Sequence, residues 1–175
     1  MFILLYNLRS VYNTASIFRT ADCVGKIKKI YLFGTTPLPK NKIDEYRKDF
    51  IKVSLGAEKN IEWEYVKNLS QVLKLISNFK QNGFKILSIE QNKNSIPYYK
   101  INQFIKSKDK IVLVLGSETK GISKSILKQS DYILEIPIRG LFLKNKFHPK
   151  NKCSGKESLN VSVAFGIVLY RLLYY

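Results

Sequence analysis

Short runs rich in β-branched and aromatic residues alternate along this chain with longer segments of helical periodicity. The runs have the length of ordinary buried strands. Alternation of this kind is typical of an α/β fold, in which helices flank a parallel sheet. The predicted strands are Phe2–Tyr6, Lys29–Phe33, Trp63–Val66, Lys85–Ile89, Ile111–Leu115 and Tyr132–Ile136.

Capping residues and apolar periodicity predict the helices between these strands. Asn13 is the expected N-cap of the first helix, and Gly25 is expected to end it in a left-handed turn. Ser70 is the expected cap of the second helix. The predicted helices are Thr14–Val24, Gln71–Lys80 and Ile122–Gln129, and a fourth that begins near Leu159.

Two segments lack a regular pattern. Residues 35–60 contain Pro37 and Pro39 amid mixed charge, so we expect a loop with one helical turn rather than a core element. Residues 141–156 are basic and separate two strongly patterned segments. They are expected to form a surface insertion within a single domain that spans residues 1–175.

The charge of the chain points to a polyanionic partner. Thirty Lys and Arg residues against thirteen Asp and Glu residues give a net charge of +17, far more than solubility requires. Nucleic acid is the leading candidate for that partner. A general compositional bias, with lysines that only solvate the surface, is the plainer alternative.

Cysteine usage favours a reducing compartment and argues against a metal site. The two cysteines, Cys23 and Cys153, follow no signal peptide, so we expect a cytoplasmic protein without a disulfide framework. Together with His148 they do not supply four zinc ligands at a usual spacing. The apolar C-terminal run contains Arg171 and falls short of the roughly 20 residues of a membrane span, which predicts a buried helix.

A buried strand followed by a glycine-bounded turn is the strongest local signal. Gly116 and Gly121 enclose the turn that follows Leu115. Ligands favour such turns because backbone groups are free there and glycine permits close approach. A phosphate-binding loop is excluded because Ile122 stands where its lysine is required, and no dinucleotide fingerprint follows any strand. Taken alone, the turn is either a ligand site or a simple connection.

A second signal is an arginine on the first predicted helix. The residues expected on the buried side of that helix are Ile17, Ala21 and Val24. Arg19 is expected to point away from them, together with Ala15 and Asp22. The plain interpretation is a solvated arginine paired with Asp22, three residues further on.

A third signal lies on either side of the basic insertion. The last predicted strand runs into Pro137 and Gly140, and the last helix is preceded by Ser158 and Asn160. Polar side chains there meet the unpaired backbone donors of a helix start, so Ser158 and Asn160 could be simple helix caps.

Together and in this order, the three segments resemble the three motifs of the SPOUT methyltransferases, specifically of the TrmH-like (SpoU) branch. The resemblance extends from Asn7 to Tyr170. Motif one is matched by Asn13 and Arg19, motif two by Leu115, Gly116, Glu118 and Gly121, and motif three by Ile136, Pro137, Gly140, Ser158, Leu159 and Asn160.

The resemblance implies a C-terminal trefoil knot beneath the parallel sheet, although knots are nearly absent among proteins. It implies that S-adenosylmethionine binds bent within the knot, held by backbone groups of motifs two and three. The implied cofactor contacts are Gly116, Ile136 and Leu159, with Leu115 and Gly140 beside them and Ile89 as a weaker candidate.

The implied reaction is methyl transfer to a ribose 2′-hydroxyl of tRNA or rRNA. Arg19 is the implied central catalytic residue, gripping the adjacent phosphate and orienting the 2′-oxygen, because a free guanidinium stays protonated and cannot act as base. The hydroxyl proton passes either to that phosphate or through an arginine perturbed in the complex, and the sequence does not choose. Asn13 would hold Arg19 or the ribose, and Glu118 would brace the site. Ser158 and Asn160 would shape the catalytic loop.

The resemblance also implies a homodimer whose active sites are completed across the interface. The apolar last helix carries Ser162 and Gly166 four residues apart, which suits close approach of another helix, although burial within one domain explains it equally. Residues 141–156 depart from the family pattern by separating Gly140 from Ser158. Their lysines and aromatic residues suit contact with RNA.

Two other classes compete with this interpretation. A non-catalytic RNA-binding protein of the same fold would have no need of Arg19, Gly116 and Asn160 together. Another α/β enzyme that uses a nucleotide is disfavoured by the missing phosphate and dinucleotide loops. Binding of S-adenosylmethionine rather than ATP would separate these classes.

Overall fold

One parallel sheet organises the chain. A computed structural model describes residues 1–138 and 158–174. Within these ranges the strands are β1 Phe2–Tyr6, β2 Lys29–Phe33, β3 Glu62–Val66, β4 Phe84–Ile89, β5 Ile96–Pro97, β6 Lys110–Leu115 and β7 Tyr132–Glu135. They form a seven-stranded sheet in the order β3-β2-β1-β6-β4-β7-β5, and every neighbouring pair is parallel. The predicted α/β class is therefore confirmed.

The six predicted strands are all present, each within one residue of its predicted bounds. The central strands β1 and β6 are almost wholly apolar because helices cover both faces of the sheet. The edge strand β5 was not predicted, since two residues are too few for any periodicity to show.

Six helices flank this sheet in the described ranges, and a 3₁₀ helix over Tyr98–Gln103 precedes β6. They are α1 Val11–Val24, α2 Lys48–Ser54, α3 Ala57–Asn60, α4 Leu69–Gln81, α5 Lys124–Leu127 and α6 Val161–Tyr174. Buried side chains alternate along the strands between two cores, so that Ile3 and Leu5 enter one and Leu4 enters the other. The first core contains residues of α1, α2, α3 and α6, and the second contains residues of α4 and α5.

Both predicted N-caps were wrong. Ser10 caps α1, so the helix begins at Val11, and Asn13 lies inside it with its backbone N–H donating to Ser10 Oγ. Asn68 rather than Ser70 caps α4. The left-handed ending at Gly25 is confirmed, with a φ of 61°. Helix α5 is shorter than predicted, and α6 begins at Val161.

The expectation of a loop over residues 35–60 is also wrong. This segment contributes α2 and α3, and both pack against α1. Phe50 of α2 is fully buried and meets Phe18 of α1 edge to face, with the ring centroids 5.3 Å apart. Short helices separated by a left-handed Leu55 and Gly56 gave too little periodicity to be recognised in sequence.

Several predictions fall outside the described ranges. Gly140 and the basic segment 141–156 lie there, as does the passage of the chain from β7 to α6. The insertion, the trefoil knot and the single domain over residues 1–175 therefore stay predictions. Among the described helices, none has the length and apolar character needed to cross a membrane.

Replacing Phe50 with alanine tests whether the 35–60 segment belongs to the core. We expect Phe50→Ala to lower the free energy of unfolding by about 3–5 kcal/mol, because the ring leaves a cavity between α1 and α2. Ile43→Ala is the matched control, since Ile43 is 74% exposed in the same segment and its loss should cost less than about 0.5 kcal/mol. Urea unfolding measures both, and equal effects would contradict the packing of α2.

Candidate functional site

The site lies where β1, β4, β6 and β7 end. Leu115 at the end of β6 is the register partner of Leu5 on one side and Ile89 on the other. Ile89 in turn pairs with Leu134 of β7. Because the strands are parallel, the loops that follow them all emerge at this carboxyl edge, which is where ligands bind in open α/β sheets.

A hydrogen-bonded network joins three of the predicted site residues. Asn13 is 6% exposed, and its Nδ2 donates to Glu118 Oε1 at 2.7 Å. Asn13 Oδ1 accepts a hydrogen bond from Asn160 Nδ2 at 3.0 Å. Glu118 Oε2 also accepts the backbone N–H of Arg9 at 3.3 Å. One buried amide thus links α1, the loop after β6 and the start of α6.

Asn160 is both a cap and a member of this network. Its Oδ1 accepts hydrogen bonds from the backbone N–H of Ser162 at 2.9 Å and from Ser162 Oγ at 2.7 Å, which satisfies the first turn of α6. Its Nδ2 remains free to reach Asn13. The cap and the site contact are compatible because they use opposite ends of one side-chain amide. Ser158 lies exposed two residues earlier.

Gly116 and Gly121 close the turn after β6 on itself. The Gly121 N–H donates to the Ser117 carbonyl at 2.9 Å, and Gly121 has a φ of 63°. A Cβ on Gly116 would lie 2.5 Å from the Gly121 carbonyl carbon and 2.6 Å from Ile122 N. The backbone of the turn therefore leaves no room for a side chain at Gly116. Gly116 is required by the turn itself.

Glu90 is a site residue that sequence reasoning missed. It follows β4 directly, and its Oε2 accepts the backbone N–H of Ile122 at 2.8 Å. Its own backbone N–H donates to the Leu134 carbonyl at 3.0 Å. Glu90 thereby fixes the turn after β6 against the ends of β4 and β7. A carboxylate immediately after a buried strand was the available signal, although nothing in the sequence indicated its partner.

The predicted cofactor contacts collect at the same edge. Ile89 and Leu115 lie side by side, and Ile136 follows the end of β7 and packs partly against the first core. Leu159 is 40% exposed just before α6. Gly116 lies in the turn after β6 at this edge, and its predicted cofactor contact stays a prediction. Gly140 lies outside the described residues.

Arg19 is not part of the Asn13 network. It is exposed on α1, as predicted, six residues beyond Asn13 and therefore about 120° away around the helix. Ala15, expected on the same exposed side, is fully buried instead. Within the described ranges Arg19 forms no ion pair with Asp22, whose carboxylate accepts a hydrogen bond from Asn60 Nδ2 at 3.0 Å. The simple salt-bridge interpretation of Arg19 is therefore wrong.

No cluster of three or more His, Cys, Asp or Glu side chains that could hold a metal ion occurs among residues 1–138 and 158–174. Cys23 is a free, exposed thiol. Cys153 and His148 were considered with Cys23 as zinc ligands in the sequence analysis. Both lie outside these ranges. The chemistry available at the carboxyl edge is that of amides, carboxylates, backbone groups and apolar walls.

Known proteins resemble this chain in sequence. The SpoU rRNA Methylase family profile matches residues 1–143. The tRNA (guanosine(18)-2'-O)-methyltransferase of Aquifex aeolicus is 28% identical over 164 residues, which are 94% of this chain and 64% of that protein. This chain thus spans less than two thirds of that relative.

Solved structures agree with the sequence match. The TrmH/SpoU tRNA modifying enzyme of A. aeolicus is similar with a TM-score of 0.73 at 27% identity, over 98% of this chain and 73% of that one. The AdoMet-bound rRNA methyltransferase of Sinorhizobium meliloti gives a TM-score of 0.74 at 22% identity, over 98% and 54% of the two chains. The second likeness shows a shared fold.

Replacing Gly116 with alanine tests its role in the turn. We expect Gly116→Ala to lower the free energy of unfolding by about 1–3 kcal/mol, because the methyl group meets backbone rather than a movable side chain. It should also deprotect the Ile122 amide, whose hydrogen bond to Glu90 the displaced turn would break. Urea unfolding and amide hydrogen exchange measure the two effects.

Gly25→Ala is the control for this substitution. Gly25 has no neighbour within 4 Å of an added Cβ, but its left-handed conformation makes alanine cost about 1–2 kcal/mol. It should therefore lower stability comparably while leaving the Ile122 amide protected. Equal protection of Ile122 in both variants would contradict the turn's dependence on Gly116.

Proposed function

This chain belongs to the SpoU rRNA methylase family, and we propose that it transfers a methyl group from S-adenosylmethionine to a ribose 2′-hydroxyl of tRNA or rRNA. The observation that carries the proposal is the contact of Asn13, Glu118 and Asn160. Each residue comes from a different one of the three motifs, and residues 13 and 160 are far apart in sequence. Ordinary caps or surface side chains have no reason to meet in this way.

We assign the cofactor to the edge formed by β4, β6 and β7. Ile89, Leu115 and Ile136 would provide apolar walls for the adenosine, and the backbone at the strand ends would provide its hydrogen-bond partners. Leu159 would approach from the start of α6. S-adenosylmethionine supplies an electrophilic methyl group when bound there. Gly140 completes the set that the family implies.

Arg19 is assigned to the RNA. Its exposed guanidinium forms no ion pair in the described part of the chain, so its planar fork is available to bind a phosphate in bidentate fashion and to orient the adjacent 2′-oxygen. As the 2′-oxygen takes the methyl group, the methyl carbon–sulfur bond of the sulfonium would break to leave a neutral thioether. The hydroxyl proton would pass to the adjacent phosphate or through an arginine perturbed in the complex. Asn13, Glu118 and Asn160 hold the surrounding loops in place, and Ser158 borders them. Holding the two reactants in line is the main contribution of such a site.

In a homodimer, Arg19 of one copy would lie at the carboxyl edge of the sheet of the other copy, where the cofactor is proposed to bind. Arg19 points away from the Asn13 network of its own chain, so we propose that it acts at the edge of a second copy. Helix α6 supports such an assembly, because Val163, Tyr170 and Tyr174 lie on one side of it and are each 45–51% exposed. Exposed apolar residues aligned on one helix face are typical of an interface.

The RNA partner also explains the charge. A net charge of +17 suits a phosphate backbone, and the basic segment 141–156 would add to the contact surface. Access to tRNA or rRNA together with the sparse use of cysteine supports a cytoplasmic location.

Substitution of Arg19 tests the proposed activity. The native protein should bind S-adenosylmethionine but not ATP in calorimetry, and should transfer labelled methyl to RNA as a ribose-methylated nucleoside after nuclease digestion. Arg19→Ala should keep cofactor affinity and stability but reduce transfer about 10²- to 10³-fold, because the lost contact acts mainly in the transition state. Arg19→Lys should restore little, since an ammonium lacks the planar fork.

Arg47→Ala is the matched control, since Arg47 is paired with Asp49 on the surface at 2.7 Å and should leave transfer unchanged. A base-methylated product would contradict the ribose assignment. Full activity of Arg19→Ala would remove Arg19 from the mechanism, and cofactor-free RNA binding alone would favour a non-catalytic binding protein.

A charge on the α6 face tests the dimer. We expect the native protein to behave as a dimer in light scattering, and Val163→Glu to dissociate it because the carboxylate would be buried at the interface without a partner. Ile43→Glu introduces the same charge at a residue that is 74% exposed and should leave the dimer intact. A monomeric native protein with full activity would contradict the assembly.

A further inference from the structure

A basic cleft lies at the end of the sheet opposite to the site described above. It has a volume of about 330 Å³ and opens where β2, β4 and β6 begin. Lys26, Lys28, Lys106 and Lys110 line it, and Phe84 and Leu172 are among the apolar residues beneath them. The methyl transfer proposed above assigns no role to these four lysines.

Little negative charge balances these lysines. Asp109 also lines the cleft, but its Oδ2 already accepts hydrogen bonds from Lys85 Nζ and from the backbone N–H of Lys106, both at 2.8 Å. The carboxyl end of α6 adds about half a negative charge. Four lysines therefore face one carboxylate that a fifth lysine neutralises, which leaves the cleft strongly positive.

Two of the lysines are held near aromatic rings. Lys26 Nζ lies 5.3 Å from the ring centroid of Tyr174, and Lys110 Nζ lies 5.6 Å from that of Phe84. Within the described ranges none of the four lining lysines forms an ion pair. Such lysines can bind a phosphate without first giving up a carboxylate partner, and aromatic rings nearby suit a base.

The two ends of the sheet are separated by the length of β6. Six residues at about 3.3 Å each give roughly 20 Å between Lys110 and the turn that follows Leu115. A single nucleotide does not span this distance, whereas a polynucleotide does. A ligand that used both ends at once would have to be a chain of phosphates.

We propose that this cleft binds a nucleotide of the substrate RNA at a distance from the methylated ribose, with the lysines on phosphate and the apolar floor against the base or sugar. The inference rests on the proposed function for the identity of the polyanion. It adds a second anchoring site, which selects RNA by the position of flanking phosphates rather than by the reacting nucleotide. The cleft would therefore contribute to affinity and to the choice of RNA, and not to chemistry.

Lysine neutralisation tests the cleft. The probe is a fluorescein-labelled single-stranded RNA of mixed sequence, titrated by anisotropy at several salt concentrations. Lys106→Gln combined with Lys110→Gln should weaken affinity about tenfold, and the dependence of log affinity on log salt should become shallower by about 1.4, as expected for two lost phosphate contacts. Affinity for S-adenosylmethionine, measured by calorimetry on the same variant, should not change.

Lys52→Gln combined with Lys74→Gln is the control, since both lysines are exposed elsewhere and the net charge changes equally. Equal loss of RNA affinity in the two double variants would overturn the proposal in favour of unspecific attraction. Calorimetry with adenosine 5′-monophosphate distinguishes the source of the phosphate. Binding of that nucleotide to the native cleft, with RNA affinity unaffected by the substitutions, would make the cleft a site for free nucleotides.

Failure of the cleft is distinguishable from failure of the proposed function. If S-adenosylmethionine binds and methyl is transferred while the cleft variant keeps full RNA affinity, only the anchoring site is refuted. If S-adenosylmethionine does not bind to any variant while the cleft substitutions still weaken RNA affinity, the anchoring site stands and the transferase proposal fails.

Discussion

The parallel pairing of β6 between β1 and β4 is the constraint on which the rest of the structure depends. Leu115 pairs with Leu5 and with Ile89, so three strands that are remote in sequence end at the same level of the sheet. Parallel strands need crossover connections, and these supply α1 and α4 on opposite faces. The strand pairing alone therefore makes the loops after β1, β4 and β6 neighbours. Polar side chains in these loops are close enough to form hydrogen bonds with each other.

Most of the sheet was predictable from sequence because its strands are buried on both faces. Such strands are continuous apolar runs, as in β1 and β6, and their bounds follow from where polar residues resume. Helix starts were less predictable, since several polar residues compete for the cap. Ser10 rather than Asn13 caps α1 because Asn13 is bonded to Glu118 and Asn160, and that tertiary partnership is invisible locally. Phe50 was not predicted as a core residue because α2 is only seven residues long. A helix of that length shows almost no apolar periodicity in the sequence.

The candidate site was predictable in its members and not in its geometry. The sequence motifs identified Asn13, Glu118 and Asn160 as site residues. Only the fold shows that hydrogen bonds join the three side chains. Glu90 is marked in the sequence only by its place after a buried strand, because its partner, the Ile122 amide, depends on the pairing of β4 with β6. The family resemblance allowed Asn13 to hold Arg19, but six residues along α1 place the two side chains about 120° apart. A sequence gives the order of side chains along a helix, whereas their meeting depends on what the neighbouring strands bring to them.

The contact between Asn13 and Asn160 joins residues 147 positions apart. On the ribosome a chain grows from its N-terminus, and α1 can pack on the early strands long before α6 has been synthesised. During that interval Asn160 does not yet exist, so Asn13 Oδ1 lacks the hydrogen bond that it later accepts. The carboxyl edge lacks the start of α6. A truncated or nascent chain without α6 lacks both Asn160 and the buried Phe165 of the first core, so it cannot assemble the complete edge. The complete site can therefore form only after α6 has been synthesised.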